Sequence, residues 1–344
     1  MARPDTKAVG ETSGCLAGVN LPVLRDAYNH DLAPNPRFPE WGCEFSPVWA
    51  FRYLALCRDL GFGAVRIWLC ECGEGVRTDR RGRAAGVLPE LIDAVEAVQD
   101  GARLLGLRLA WSLLDGNAWR RNGDALTGLV AADRGEALRF AERVAAPIAG
   151  ALDPELTFAL EVFNEPESLS AEVHGEAGLP WETIVASIKA VRGVLHQAIP
   201  GVPVTCGTQA VFLPGLLAGV GPGREEEAPV DAVDLHVYHP DGGLPARADL
   251  PVDIGRLPLW AGECGLSHRG APGESGYLTH YLYNARALGY RAVFLWKLEG
   301  DQHLVRREQV EGAPEGTEVF SVTALGAGVR DLLRREWGGP PGRG

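Results

Sequence analysis

Thr157–Glu167, TFALEVFNEPE, runs apolar like a buried strand and then breaks at Asn164-Glu165-Pro166. The proline ends ladder pairing because it has no N–H to donate. The strand therefore closes on an amide and a carboxylate. Two readings fit: a chain end returning to solvent, or an active site at the mouth of a barrel. The rest of the sequence decides between them.

Seven further short apolar runs accompany the one at 156–163: CLAGVNL (15–21), AVRIWLC (64–70), LRLAWSLL (107–114), PVTCG (203–207), AVDLHVY (232–238), PLWAGE (258–263) and RAVFLWKL (291–298). Helical patterns cover 47–60, 89–105, 135–150, 181–198, 273–288 and 319–336. Ser46-Pro47 and Pro89-Glu90 supply helix-start chemistry. The connections after the fifth and sixth runs are weaker as helices. Eight strands, each followed by a crossover, predict an α/β fold of the closed (β/α)8 TIM-barrel type, for which ~250 residues or more is typical. A doubly wound open sheet is the alternative, but GVNLPVL in the first strand and its exit is no Gly-rich phosphate fingerprint. No internal repeat or interior low-complexity linker divides the chain, so a single catalytic barrel is expected over 14–338, with flexible tails at 1–13 and 339–344.

In such a barrel, chemistry sits at the carboxyl ends of the strands. Those ends are polar and aromatic here: Asn20, Arg66 with Trp68, Trp111 with Asp115, Asn164 with Glu165, His236 with Tyr238, Glu263, and Trp296. His236 and Tyr238 stand two apart and so share a face of their strand, whereas His239 points the other way. Glu165 and Glu263 close the fourth and seventh strands and approach the mouth from opposite sides. Two facing carboxyl groups can divide acid and nucleophile roles when their surroundings push their pKa values apart. Indole rings offer flat platforms to a ligand: Trp296 is the first candidate and Trp68, Trp111 and Trp119 could extend the cleft, although packing between strands and loops is at least an equal reading for these three.

Composition narrows the partners. A formal net charge of −12 leaves no basic excess for binding nucleic-acid phosphates. No run is long enough to span a membrane, and MARPDTKAVGETSG lacks the apolar core of a signal peptide. The seven cysteines are scattered without the spacing of a disulfide framework. A cytoplasmic protein with no cofactor and no metal is expected; the sequence leaves the oligomeric state open.

The motifs FNEP, DLHVY, WAGECG, VRIW and FLWK, in one chain, resemble clan A glycoside hydrolases, especially those of glycoside hydrolase family 5. The resemblance covers the whole barrel. It implies a small-molecule carbohydrate partner and a retaining hydrolase of β-glycosidic bonds in gluco- or manno-configured sugars. Glu165 would be the general acid/base, Glu263 the nucleophile, and Asn164 the partner of the sugar 2-hydroxyl. Arg66 and Tyr238 would keep Glu263 ionised. Trp296 matches the tryptophan that floors the sugar site in that family.

Other features depart from the pattern or stand outside it. Cys264 follows the nucleophile where an aromatic is common, and the third strand lacks a histidine often seen there. Cys70, Glu71 and Cys72 with Cys264 and His236 do not have structural-zinc spacing. Glu161 shares parity with Glu165 but lies ~13 Å further back along an extended strand, too deep for the same reaction. It reads as a buried structural carboxylate in need of a partner, and Glu167 as a loop residue. Long loops at 22–46, 71–88, 115–133 and 299–317 favour a walled pocket and short substrates. A metal-dependent barrel hydrolase using His236 and His239, and a sugar-binding barrel without catalysis, are the competing readings. Lys297 has no partner pattern for Schiff-base chemistry.

Overall fold

A computed structural model describes residues 14–24, 30–43, 45–121, 123–220, 223–239, 242–265, 276–300, 303–309 and 318–337. Eight strands carry the apolar runs: β1 (Leu16–Leu21), β2 (Ala64–Trp68), β3 (Arg108–Asp115), β4 (Thr157–Asn164), β5 (Val204–Thr208), β6 (Val233–Val237), β7 (Leu259–Gly265) and β8 (Ala292–Trp296). Each pairs in parallel with its sequence neighbours, and β8 pairs back to β1, so the sheet closes without an edge. This is the expected (β/α)8 barrel.

Side chains alternate between two cores. Inside the barrel, small residues such as Ala64, Ala110, Ala159, Ala232 and Ala292 surround Trp260 and Phe294. Gly18 belongs to this packing: a Cβ there would lie 2.3 Å from the Phe294 ring. The outer faces, with Val19, Ile67, Leu113, Val162 and Leu235, pack against helices Pro47–Asp59, Pro89–Leu105 and Trp181–Ala198. Ser46 caps the first of these by accepting from Trp49 N, and proline opens the second.

Between β4 and the preceding loop, the expected helix at 135–150 is three continuous pieces, Arg134–Phe140, a π-helical Ala141–Ala145, and Ala146–Ala151. Among the described residues, the crossovers after β5 and β6 hold only Leu213–Leu216 and short 3-10 turns, as their weak periodicity foretold. The helix expected at 319–336 is corrected at its start. Glu318–Val322 is a strand, antiparallel to Val305–Gln309, and the helix runs Ala324–Glu336. EVFSV alternates like a strand, and Thr323 Oγ1 accepts from Gly326 N to begin the helix after it. The helix expected at 273–288 is seen as Gly276–Ala287; its first residues, and the tails at 1–13 and 339–344, lie outside the described residues. The long loop after β2 folds into a hairpin, Val76–Thr78 with Ala84–Val87. Among the described residues no helix is long and apolar enough to cross a membrane.

Candidate active site

Arg66, in the middle of β2, is 2% exposed and organises the barrel mouth. All five of its N–H donors are used. Nε and Nη2 donate to Glu161 Oε2 at 3.2 and 2.5 Å, Nη2 also to Asn164 Oδ1 at 2.8 Å, and Nη1 to Asn20 Oδ1 at 2.9 Å and Glu263 Oε1 at 2.7 Å. The partner that Glu161 needed is therefore Arg66. Asn20, on β1, is fully buried, and its Nδ2 donates to Gly262 O at 2.9 Å, tying β1 to β7.

Two strand irregularities aim the acids. The register of β4 against β5 shifts between Glu161 and Asn164, which lets two residues of opposite parity both reach Arg66. The register of β7 shifts against β6, where Leu235 faces Ala261 but His236 faces Glu263. Bulges of this kind re-aim side chains beside active sites. Glu263 is 3% exposed. Its Oε2 accepts from Tyr238 Oη and lies 3.6 Å from His236 Nδ1.

Glu165 leaves β4 in the left-handed region, at φ 47° and ψ 61°. Gly116 permits that turn, since a Cβ on it would lie 2.3 Å from Glu165 O. The carboxylate faces Glu263 across the mouth and is 18% exposed. Asn117 Nδ2 donates to its Oε2 at 2.7 Å, and His236 Nδ1 lies 3.1 Å from its Oε1. Glu165, Glu263 and His236 each offer one atom such that all three lie within 4.8 Å of one another.

These contacts set the proton balance. Burial by itself raises Glu165, but His236, Asn117 and Arg66 outweigh it and hold the carboxyl down to about 2. Burial by itself lowers His236, but Glu263 and Glu165 beside it carry the imidazole up to about 10. The ring's Nε2, without a partner among the described residues, works against the doubly protonated form. Burial raises Glu263 above the usual carboxylate range, against the pull of His236, Arg66 and Tyr238. Asp115, which accepts from Asn164 Nδ2 at 2.8 Å, is raised by burial to about 6.

Trp68 and Trp296 meet at the mouth edge to face, 5.7 Å apart, with the Arg66 guanidinium 4.0 Å from the Trp68 ring. Trp296 is half-buried and Trp68 buried. The expectation for Trp111 is corrected: it is fully buried and points outward, packed with Ile67 and Leu160, its neighbours in register, in the strand–helix core. The inward residues of β3 are Ala110 and Ser112. Trp119 packs over Gly128 and beside His174. Glu167 sits in a 3-10 turn and is buried, accepting from Thr208 Oγ1 and Gln209 N. His239 follows β6 and is held through its backbone by the Tyr281 hydroxyl. Cys70 and Cys264 lie in the outer core, where burial drives both thiols well above their ordinary range and makes them poor metal ligands.

Sequence reasoning missed Asn117, Gly116 and Gly207. Gly207 is where β5 passes both acids' supports. A Cβ there would lie 2.1 Å from His236 Nε2 and 2.6 Å from Glu161 Oε1, and its N–H donates to that same oxygen at 2.6 Å.

Fold and mouth together define a (β/α)8 barrel with two facing carboxylates carried on β4 and β7. Solved structures share this fold. An endo-1,4-β-mannanase from Eisenia fetida is 17% identical, with 94% of this chain and 91% of that chain covered and a TM-score of 0.66. The exo-β-1,4-mannosidase Op5Man5 from Opitutaceae bacterium strain TAV5 is 19% identical, with 94% and 59% covered and a TM-score of 0.63. Virulence factor SghA from Agrobacterium tumefaciens, in complex with its substrate analog salicin, is 15% identical, with 93% and 95% covered and a TM-score of 0.56. No protein-family model matches the sequence, and no curated protein matches it. At these identities the likeness establishes the fold.

Proposed function

We propose that this chain is a retaining glycoside hydrolase acting on β-linked gluco- or manno-configured oligosaccharides or glycosides. The observation that carries the reading is the pair Glu165 and Glu263, with carboxyl oxygens within 4.8 Å of each other. Retaining enzymes set their carboxyl groups ~5–5.5 Å apart, and inverting ones leave ~6.5–9.5 Å for a water. Structural neighbours that include mannanases, a mannosidase and a salicin complex support the substrate class.

Glu263 attacks the anomeric carbon. Arg66 and Tyr238 hold its two oxygens and favour its charged form against burial. Glu165 protonates the departing glycosidic oxygen and then, as a base, activates water. It must hold a proton in the first step, whereas its partners keep it ionised in the free cleft. His236 Nδ1, 3.1 Å away, is the adjacent proton store. A sugar filling the cleft strips water from Glu165 and so favours the neutral acid. Asn164 has one amide proton engaged by Asp115 and a second left for a sugar hydroxyl, and Trp296 with Trp68 forms the platform. The free thiols suit a reducing cytoplasm.

A screen of chromogenic β-mannosides and β-glucosides, with oligosaccharides of graded length, tests the reading. Turnover that disappears in Glu263→Ala is expected; full activity in that variant overturns the assignment. A metal-dependent reading has one observation in its favour, the ligand-like spacing of Glu165, His236 and Glu263. The Arg66 guanidinium 2.7 Å from Glu263 opposes a cation there. Loss of activity on chelation would revive it.

A further inference from the structure

Glu161 has no part in the reaction as written, yet it makes the most extensive contact to the group that holds the nucleophile. We propose that Glu161 is a positioning residue for Glu263: it clamps Arg66 from below so that Nη1 stays on the nucleophile's carboxylate, and Gly207 lets β5 come close enough to lock the clamp. The proposal rests on the reading of Glu263 as nucleophile.

The geometry is specific. Glu161 Oε2 takes both Nε and Nη2 of Arg66, and Oε1 takes Gly207 N–H. With one edge of the guanidinium fixed in this way, its planar fork points Nη1 at Glu263. Gly207 also bounds His236 Nε2, so one backbone position sets both the clamp under the nucleophile and the ring beside the acid. The surrounding titratable groups are Asp234 and His236 from β6, Tyr238 beyond it, Glu165 after β4 and Asp115 from β3. Of these, Asp234 lies in the barrel interior, where one of its oxygens, Oδ1, has no hydrogen-bond partner among the described residues.

The test is Glu161→Gln, which keeps size and shape but sets an NH2 against either Arg66 or Gly207 and removes the charge. Arg66 lowers Glu263; a loosened Arg66 lets it rise. The acid limb of kcat/KM, which reports nucleophile ionisation in the free enzyme, is expected to move up by about one pH unit, with kcat down and KM nearly unchanged. Glu161→Asp, which retains the charge, is expected to move the limb in the same direction by less, and serves if the glutamine variant does not fold. In an Arg66→Lys background Glu161→Gln is expected to add no further shift, because both act through one contact. An acid limb that stays in place, or moves down, in both single variants overturns the proposal, as does an additive shift in the double variant. A readout free of turnover separates this from the catalytic reading: the 13C-carboxyl titration of Glu263, assigned by its loss in Glu263→Gln. If no glycoside is turned over by the wild type, the proposed function fails, while an upward shift of that titration in Glu161→Gln still supports the clamp and an unmoved one sinks it.

Discussion

Arg66→Lys keeps the positive charge of the hub and removes its fork. Arg66 satisfies five acceptor contacts on four side chains, Glu161, Glu263, Asn20 and Asn164. An ammonium offers three donors from one point, so at least two of those contacts are lost in a site closed to water. Hydrogen bonds to charged groups contribute about 1.5–3 kcal/mol each, which puts the loss at about 3–6 kcal/mol. For a chain of 344 residues the unfolding entropy is roughly 0.7 kcal/mol/K, so the melting temperature should fall by about 4–8 °C. Where the loss is felt at Glu263, the proposed nucleophile, every ~1.4 kcal/mol is tenfold in rate, and kcat/KM should fall at least ~100-fold. Differential scanning calorimetry and steady-state kinetics on an aryl β-mannoside or β-glucoside measure both. A variant that melts within about 2 °C of wild type and retains kcat/KM within about threefold refutes the hub.

Three further outcomes follow from the same contacts. Glu165→Ala should lose ~10²–10⁴-fold in kcat on a glycoside with a poor leaving group, and far less on a dinitrophenyl glycoside whose departure needs no proton; equal losses on both would contradict its role as the acid. Tyr238→Phe removes the hydroxyl donor to Glu263 and should raise the acid limb of kcat/KM while leaving the basic limb in place, read from a pH–rate profile. The Glu165–His236 pair should also show in stability against pH. Glu165 is lowered from 4.5 to about 2, so its contribution is complete above pH 4.5 and disappears as pH falls toward 2. His236 is raised from 6.5 to about 10, so its contribution is complete below pH 6.5 and disappears as pH rises through 10. The melting-temperature gap between wild type and Glu165→Gln should therefore be widest between pH 4.5 and 6.5 and shrink on both sides.

The barrel was legible because eight apolar runs at regular spacing admit few arrangements, and each observed strand overlaps its run. The two carboxylates were legible because strand ends are where such a barrel does its chemistry. What escaped depends on backbone detail that composition does not encode. An all-apolar strand buried on both faces does not reveal which residues face inward, and Trp111 was assigned to the wrong side for that reason. The register shifts in β4 and β7 appear only when partners are paired, and they alone explain how Glu161 and Asn164 share one guanidinium. Gly116 and Gly207 are defined by what approaches them, Glu165 O in one case and His236 with Glu161 in the other. The strand at Glu318–Val322 was hidden by a partner, Val305–Gln309, that is mostly charged and exposed.

The central claim is that Glu263 forms a covalent glycosyl intermediate. Incubation with an activated 2-deoxy-2-fluoro β-mannoside or β-glucoside, followed by peptide mass mapping, addresses it directly. Time-dependent inactivation is expected, with one fluoroglycosyl group on the peptide that contains Glu263, and none in Glu263→Gln. Rapid turnover of natural β-glycosides with no trapped sugar, or a label on another carboxylate, would contradict it.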